Sequence, residues 1–127
     1  MCPVVRYLQN RPEDFEPRVC ATAQHRDLLD QVLDAFGVRP DHDLDLMTPG
    51  QTLFQSTSRI LAGLEHVFEA EQPDIALVQG DTTTTLCGAL AAFYRRVPVG
   101  HVEAGLRTGD PYQPFPEEVN RVLTGHL

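Results

Sequence analysis

The chain has 127 residues, a length that suits one packed domain and is too short for two. Of these residues 42% are hydrophobic and 22% are charged, which is enough apolar material for a single core. Its net charge is −8 and its ten basic residues are all arginine, so it lacks the basic stripe typical of proteins that bind nucleic acid or anionic membranes. No apolar run approaches the ~20 residues that span a bilayer, and the first residues lack the basic and apolar regions of a signal peptide. We therefore expect a cytoplasmic protein that binds neither nucleic acid nor a membrane.

Helices and strands alternate along the chain. In chain order, the predicted elements are the end of a helix at residues 4–8, a weak strand at 15–22, a helix at 28–36, an edge strand at 42–46, a helix at 53–68, a strand at 75–78, a helix at 83–95, a strand at 97–102 and a helix that opens at Pro116.

The strand signals are short apolar runs bounded by residues that favour turns. Residues 75–78 form such a run, stopped by Gly80, which indicates a buried strand. Residues 97–102 show the same pattern. Residues 15–22 are a weaker case, and residues 42–46 alternate between polar and apolar as a short edge strand does.

The helix signals are apolar residues that recur every three or four positions. In residues 28–36 this stripe ends at Gly37, where a C-terminal cap belongs. The stripe of residues 53–68 is longer, and residues 83–95 are rich in glycine and alanine, which favours close packing against a sheet. Pro116 is predicted at the first position of the last helix, followed by acids in its first turn.

This alternation predicts an α/β domain with a Rossmann-like, doubly wound parallel sheet and right-handed crossovers. Ligands of such sheets bind beyond the carboxyl ends of the strands. The residues that follow Val78 and Val102 are therefore the first place to look for a functional site.

A run of four threonines follows the strand at 75–78 and enters a helix. Gly80 allows a tight turn there, and Asp81 or Thr82 can cap the helix. The free N–H groups of the first helical turn then form an anion site, to which the threonine hydroxyls add donors for phosphate or sugar oxygens. The alternative is a plain helix cap, and the residues leave both possibilities open.

Glu103 ends the strand at 97–102, at the same edge of the sheet as Asp81. Two carboxylates that converge there can divide the acid and base work of a proton transfer. Arg107, four residues on, can pair with one carboxylate or bind a phosphate. The alternative is a surface ion pair between Glu103 and Arg107.

Two further segments carry polar residues at helix starts. Glu117 and Glu118 lie in the first turn of the last helix, where acids are common because they complement the helix dipole. A stiff, proline-rich loop leads into this helix and can deliver its start to a cleft. Gln24 and His25 also follow a strand and precede a helix, so they either contact a ligand or cap that helix.

The cysteines indicate neither a metal site nor a disulfide framework. Cys2, Cys20 and Cys87 are widely spaced, odd in number and form no C-x-x-C pair. We expect reduced core thiols.

Taken together, four motifs resemble those of the non-hydrolysing UDP-N-acetylglucosamine 2-epimerases, and they occur in one order through nearly the whole chain. They are Thr22 to Arg26, Gly80 to Thr85, Pro98 to Asp110 and Pro116 to Arg121. The family has two Rossmann-like domains in the glycosyltransferase-B arrangement, with the active site in the cleft between them. The resemblance implies that residues 1–127 are most of the N-terminal domain.

The resemblance also implies an isomerase that interconverts UDP-N-acetylglucosamine and UDP-N-acetylmannosamine for bacterial envelope polysaccharides. The family reaction removes the C2 proton and eliminates UDP to give 2-acetamidoglucal, and UDP then adds back with a proton on the opposite face. No cofactor and no metal are implied, and full-length members are typically homodimers.

The family's functional residues map onto this chain by motif. Its three catalytic carboxylates match Asp81, Glu103 and Glu117. Its contacts to a second, activating UDP-N-acetylglucosamine match Gln24, His25 and Gln51. Together with Arg107 as a UDP-sugar contact, these residues form the implied site.

Parts of the family pattern are absent from these residues. The family's first strand, with an arginine and a lysine after it, would precede Met1, and the C-terminal domain with a catalytic histidine would follow Leu127. In a doubly wound sheet that first strand is central, and its absence leaves buried N–H and C=O groups unpaired at ~1–3 kcal/mol each. We therefore expect residues 1–127 alone to be inactive and poorly folded. The alternatives are an inactive remnant or interaction module, or a UDP-sugar glycosyltransferase of similar fold.

Overall fold

The computed structural model describes residues 1–22, 26–46 and 48–127, including all of their side chains except those of Arg26 and Asp27. The helices are α1 (Cys2–Gln9), α2 (Arg26–Phe36), α3 (Leu53–Glu71), α4 (Thr83–Tyr94) and α5 (Glu117–Thr124). The strands are β1 (Cys20–Ala21), β2 (His42–Asp43), β3 (Ala76–Gln79) and β4 (Val99–Val102). None of the described helices is both long and apolar enough to cross a membrane.

The chain divides into two compact units, residues 1–47 and 48–127. In the first unit β1 and β2 pair in parallel, with Cys20 opposite His42, and α1 packs against α2. Gly37 ends α2 with a φ of +61°, as its predicted capping role requires. The N–H of the next residue, Val38, donates to the carbonyl of Leu33, and both of these side chains are buried.

The second unit is built around α4. This helix packs against α3, β3 and α5, and its buried residues (Cys87, Ala89, Ala91 and Ala92) are small. On α3 the buried positions Ile60, Leu64 and Phe68 recur every four residues and complete this core. The helix α3 begins with a capping box, in which Thr52 and Gln55 each bind the backbone N–H of the other.

Close approach of α4 to the sheet depends on Gly88. A Cβ atom at this position would lie 3.0 Å from Cγ1 of Val78 on β3, closer than most real contacts. β3 and β4 pair in parallel with Gln79 opposite Val102, so both strands end at the same edge. The predicted packing of a glycine- and alanine-rich helix against a sheet is therefore observed.

The predicted strands at 15–22 and 42–46 are shorter than expected. Residues 15–18 lie outside β1, since Pro17 has no N–H for a ladder. The N–H of Val19 bonds the Asp41 carboxylate at 2.7 Å, and its carbonyl accepts from the N–H groups of Asp41 and His42. The strands of the described residues form two separate parallel pairs, β1 with β2 and β3 with β4. Pro116 is the N-cap of α5 and not its first helical residue, which corrects the prediction.

The core of the second unit gives a direct test of the packing. Ile60 has no solvent exposure, so replacing it by alanine should lower the free energy of unfolding by about 2–5 kcal/mol. Phe54, in the same helix, is 88% exposed, and Phe54→Ala should change that free energy by no more than ~0.5 kcal/mol. Urea denaturation of a folded protein that carries this unit measures both; equal effects of the two substitutions would contradict the described core.

Candidate active site

The turn after β3 is shaped by threonine side chains. Gly80 has a φ of +77°, which brings the chain sharply into α4. Thr82 is the N-cap, and its hydroxyl accepts from the Thr85 N–H at 3.2 Å. The Thr85 hydroxyl donates to the Gln79 carbonyl at 2.6 Å and is buried. Of the two possibilities left open by the sequence, helix capping is what the structure shows for Thr82.

Because Thr82 is the cap, the Asp81 carboxylate is left to make a different contact. One of its oxygens, Oδ2, binds Nη2 of Arg121 on α5. The backbone carbonyl of Asp81 also accepts from the side-chain amide of Asn120 at 2.9 Å. Arg121 has a side chain only 3% exposed, whereas that of Asp81 is 28% exposed. α5 therefore holds Asp81 at two points.

Glu103 lies beside this contact, just beyond the end of β4. Its backbone carbonyl accepts from Nη1 of Arg121, so one guanidinium binds both Asp81 and Glu103. Its side chain is exposed and accepts from the Gln79 amide at 3.2 Å. Its φ is +60°, a left-handed conformation that is sterically unfavourable for a residue with a Cβ. The structure thus brings Asp81 and Glu103 to one edge of the sheet, as predicted.

Glu117 lies about one helical turn before the residues of α5 that bind Asp81 and Glu103. It is half-buried in the first turn of α5, three and four residues before Asn120 and Arg121. Residues with this spacing lie on the same face of a helix. The face of α5 that carries Glu117 is therefore the face that binds Asp81 and Glu103.

Glu118 has a structural environment that the sequence did not reveal. Its buried carboxylate accepts from the backbone N–H groups of Thr108 (3.0 Å) and Gly109 (3.1 Å) and from Nε of Arg107 (2.9 Å). These donors, the Thr108 N–H foremost, lower the pKa of Glu118, although burial opposes them. Glu118 thus anchors the loop between β4 and α5.

Arg107 pairs with Glu118, so the alternative prediction of an ion pair between Glu103 and Arg107 is wrong. The side chain of Arg107 remains 49% exposed, with only its Nε engaged among the described contacts. Its Nη groups face no described acceptor. The predicted role of Arg107 in binding a UDP-sugar stays a prediction.

His101 on β4 also supports the turn after β3. Its Nε2 lies 2.7 Å from the Gly80 carbonyl, and because a carbonyl only accepts, Nε2 must carry the proton. Its Nδ1 is buried and has no hydrogen-bond partner among the described residues. His101 therefore fixes the peptide that precedes Asp81.

The remaining predicted site residues lie elsewhere or outside the description. Gln51 lies in the turn before α3, where its side-chain oxygen accepts from the Thr48 N–H at 3.0 Å. Gln24 and His25 fall outside the described residues. No group of three or more histidine, cysteine or acidic residues suited to a metal ion occurs in the described part of the chain.

The cysteines are free thiols in the structure, and only Cys87 is fully buried. Burial raises the pKa of Cys87 to about 11. Burial and the nearby Asp43 carboxylate raise the pKa of Cys20 to about 11 as well. At neutral pH both are therefore protonated and weakly reactive.

Four residues of the site were missed from the sequence: His101, Glu118, Asn120 and Arg121. Asn120 and Arg121 were visible only as part of the motif that begins at Pro116. The available signal was their spacing from Glu117, which places all three on one helix face. For Glu118 no signal distinguished it from its neighbour, because the donors come from a loop about ten residues away.

Comparison with known proteins identifies relatives along the whole chain. The family model described as UDP-N-acetylglucosamine 2-epimerase matches residues 6–127. The UDP-N-acetylglucosamine 2-epimerases of Yersinia pestis and Escherichia coli (strain K12) are 62% and 61% identical to the chain over all 127 residues, which cover 34% of each relative. The chain thus spans about a third of the length of these curated relatives.

Solved structures show the same similarity. One is the UDP-GlcNAc 2-epimerase from Neisseria meningitidis bound to UDP-GlcNAc, with 51% identity and a TM-score of 0.94 over 99% of this chain and 34% of that chain. Another is the Methanocaldococcus jannaschii UDP-GlcNAc 2-epimerase in complex with UDP-GlcNAc and UDP, with 36% identity and a TM-score of 0.87 over 98% of this chain and 34% of that chain. The predicted α/β class with parallel strands is confirmed, and it matches the N-terminal third of such structures.

The pKa of Glu118 leads to a prediction about stability and pH. Because its pKa is lowered on folding, Glu118 stabilises the fold above the unfolded-state pKa of about 4.3. This stabilisation is lost as the pH falls through the lower folded-state pKa. Glu118→Gln should therefore be less stable than the parent at pH 7, and the difference should shrink on acidification.

Denaturant unfolding of both proteins, each of the relatives' length and carrying this segment, measures this difference between pH 7 and pH 3. The same replacement at Glu65, which is exposed on α3, is the matched control and should leave the stability unchanged throughout. A difference between Glu118→Gln and the parent that stays constant down to pH 3 would show that the charge of Glu118 does not anchor the loop.

Proposed function

The chain belongs to the UDP-N-acetylglucosamine 2-epimerase family, and from this we propose that it supplies the carboxylates with which a UDP-N-acetylglucosamine 2-epimerase acts on its substrate. The single observation that carries the proposal is the cluster around Arg121. One buried guanidinium binds both Asp81 and Glu103, and Glu117 lies on the same helix face. Asp81 and Glu103 share one edge of the sheet, and we propose that Glu117 is the third carboxylate there.

The proposed reaction interconverts UDP-N-acetylglucosamine and UDP-N-acetylmannosamine. A base removes the proton from C2 while the bond between C1 and the UDP oxygen breaks, which leaves 2-acetamidoglucal and UDP. UDP then adds back to C1, and an acid delivers a proton to the opposite face of C2. Carboxylates suit both proton transfers, which is why three of them at one edge support this chemistry.

The substrate class follows the relatives. The N. meningitidis structure holds UDP-GlcNAc and the M. jannaschii structure holds UDP-GlcNAc and UDP. Arg107 offers a half-exposed guanidinium, of which only Nε is bound among the described contacts. Such a group suits a diphosphate, since the arginine fork favours phosphate oxygens.

We assign this activity to a protein of the relatives' full length and not to residues 1–127 alone. The chain corresponds to 34% of the Yersinia pestis relative, so most of such an enzyme lies outside the matched part. In that longer protein we propose that this segment is an incomplete N-terminal Rossmann-like domain. A cytoplasmic location and a homodimer remain predictions.

A second ligand site is proposed at Gln24, His25 and Gln51. By the family resemblance these residues contact an activating UDP-N-acetylglucosamine. Of the three, Gln51 lies within the described residues, in a turn that its own side chain stabilises.

Glu117 provides the test of the catalytic proposal. In a protein of the relatives' length that carries this segment, Glu117→Gln should reduce kcat by about 10²–10⁴-fold, because the amide cannot transfer a proton. UDP affinity should change little, since a proton-transfer group acts mainly on the transition state. Steady-state kinetics and UDP titration measure the two quantities, with Glu65→Gln as the matched control. A near-normal kcat would return Glu117 to the role of a helix-dipole acid.

The 127-residue chain itself provides a second test. It should show no detectable conversion of UDP-N-acetylglucosamine, because about two thirds of the relatives' length is missing from it. The longer protein assayed beside it should be active. Turnover by residues 1–127 alone would overturn the view that the activity needs the rest of the enzyme.

A further inference from the structure

We propose that Arg121 is a positioning residue, whose guanidinium fixes the Asp81 carboxylate and the Glu103 backbone relative to each other for catalysis. The inference rests on the proposed function, because Asp81 and Glu103 are its proposed catalytic carboxylates. Arg121 itself is not proposed to touch the substrate: its side chain is 3% exposed and both Nη groups are engaged.

The guanidinium of Arg121 binds both residues at once. Nη1 donates to the Glu103 carbonyl and Nη2 to Oδ2 of Asp81. The two nitrogens belong to one rigid planar group, so the two acceptors cannot move independently while both bonds persist. β3 and β4 end in register, but the two residues lie beyond their ends, where no ladder bond holds them. Arg121 supplies the constraint that the sheet does not.

Arg121 binds only one of the two oxygens of the Asp81 carboxylate. Oδ2 is bound to Nη2, while Oδ1 has no hydrogen-bond partner among the described residues and the side chain is 28% exposed. The amide of Asn120 holds the Asp81 carbonyl as well. The carboxylate is thereby anchored on one side and left open on the other.

The backbone conformation of Glu103 is unfavourable without support. Its φ of +60° is a conformation that residues with a Cβ rarely adopt. Such conformations persist where the surroundings enforce them, and they concentrate at functional sites. Here the surroundings are Arg121 at the carbonyl and Gln79 at the carboxylate. The bond from Arg121 therefore sets the direction in which the Glu103 side chain leaves the chain.

A purely structural role, in which Arg121 only holds α5 to the sheet, makes different predictions. It would require that loss of Arg121 lower stability, with activity falling only as folded protein is lost. A positioning role requires that kcat fall in the folded protein while the binding of UDP is retained. Misplacement by about 1 Å is enough to cost on the order of 10²-fold in rate.

The experiment uses a protein of the relatives' length that carries this segment, with Arg121→Met and Arg121→Lys. The matched control is Arg95→Met, since Arg95 is a half-exposed arginine that pairs with Glu69 at 2.7 Å, away from the proposed carboxylates. Arg121→Met should lower kcat about 100-fold in protein that remains folded by thermal unfolding, with UDP affinity changed less than about 3-fold. Arg121→Lys should recover part of the loss, because an ammonium can reach one acceptor but lacks the fork. Arg95→Met should leave kcat unchanged.

Two further measurements keep the proposal testable if Arg121→Met does not fold or the parent shows no turnover. Arg121→Lys should lower kcat by a smaller factor in the Asp81→Asn variant than in the parent. The reason is that both substitutions act partly through the Asp81 carboxylate. Hydrogen exchange of residues 80–82 and 103–105 needs no turnover and should be about 10-fold faster in Arg121→Lys than in Arg95→Met.

The outcomes separate the two proposals. A parent that does not convert UDP-N-acetylglucosamine rejects the proposed function, and hydrogen exchange then decides the positioning role. A kcat for Arg121→Met within about 3-fold of the parent, fully additive losses with Asp81→Asn, or unchanged exchange in both segments would each overturn the role of Arg121.

Discussion

The close contact between α4 and β3 is the constraint on which the second unit depends. Gly88 has no side chain, which allows α4 to lie close to Val78 on β3. A Cβ atom at position 88 would lie only 3.0 Å from Cγ1 of Val78. The same helix, α4, also packs against α3 and α5. Because α4 contacts both β3 and α5, its distance from β3 also affects the position of α5 and therefore that of Arg121. The glycine at position 88 thus influences where the Asp81 carboxylate is held.

The role of each acidic residue in this site depends on which groups donate hydrogen bonds to it. The chain is acidic overall, yet Asp81 and Glu118 each have an arginine partner, Arg121 and Arg107 respectively. Neighbouring acids consequently differ in role. Glu118 is buried and bound by two backbone N–H groups, so it stabilises a loop, whereas Glu117 is half-buried and precedes the two residues that bind Asp81 by three and four positions.

The sequence was sufficient for those features that depend on local pattern. The helices at 28–36, 53–68 and 83–95 and the strands at 75–78 and 97–102 have apolar periodicity and turn residues that agree with the observed elements to within a few positions. The juxtaposition of Asp81 with Glu103 also followed, because parallel strands end at one edge. The strands at Cys20 and His42 lie within the predicted ranges, but their shortness did not follow, since the side chain of Asp41 replaces part of the ladder. The partner of Arg107 could not be predicted either, because an ion pair formed across a loop produces no periodic pattern in the sequence.

The way in which Glu118 holds the loop has a consequence for evolution. Its two backbone donors, Thr108 and Gly109, are recognised by their N–H groups, and only Arg107 contributes a side chain to the carboxylate. An anchor of this kind does not depend on the side chains of the residues it binds, apart from proline, which has no N–H to give, and apart from Gly109, whose φ of +79° favours glycine. The exposed residues of the loop, among them Leu106 and Tyr112, can therefore diversify while the segment keeps its attachment to the helix. The backbone contacts that attach the loop to α5 are thereby separated from the exposed side chains, which selection is free to vary.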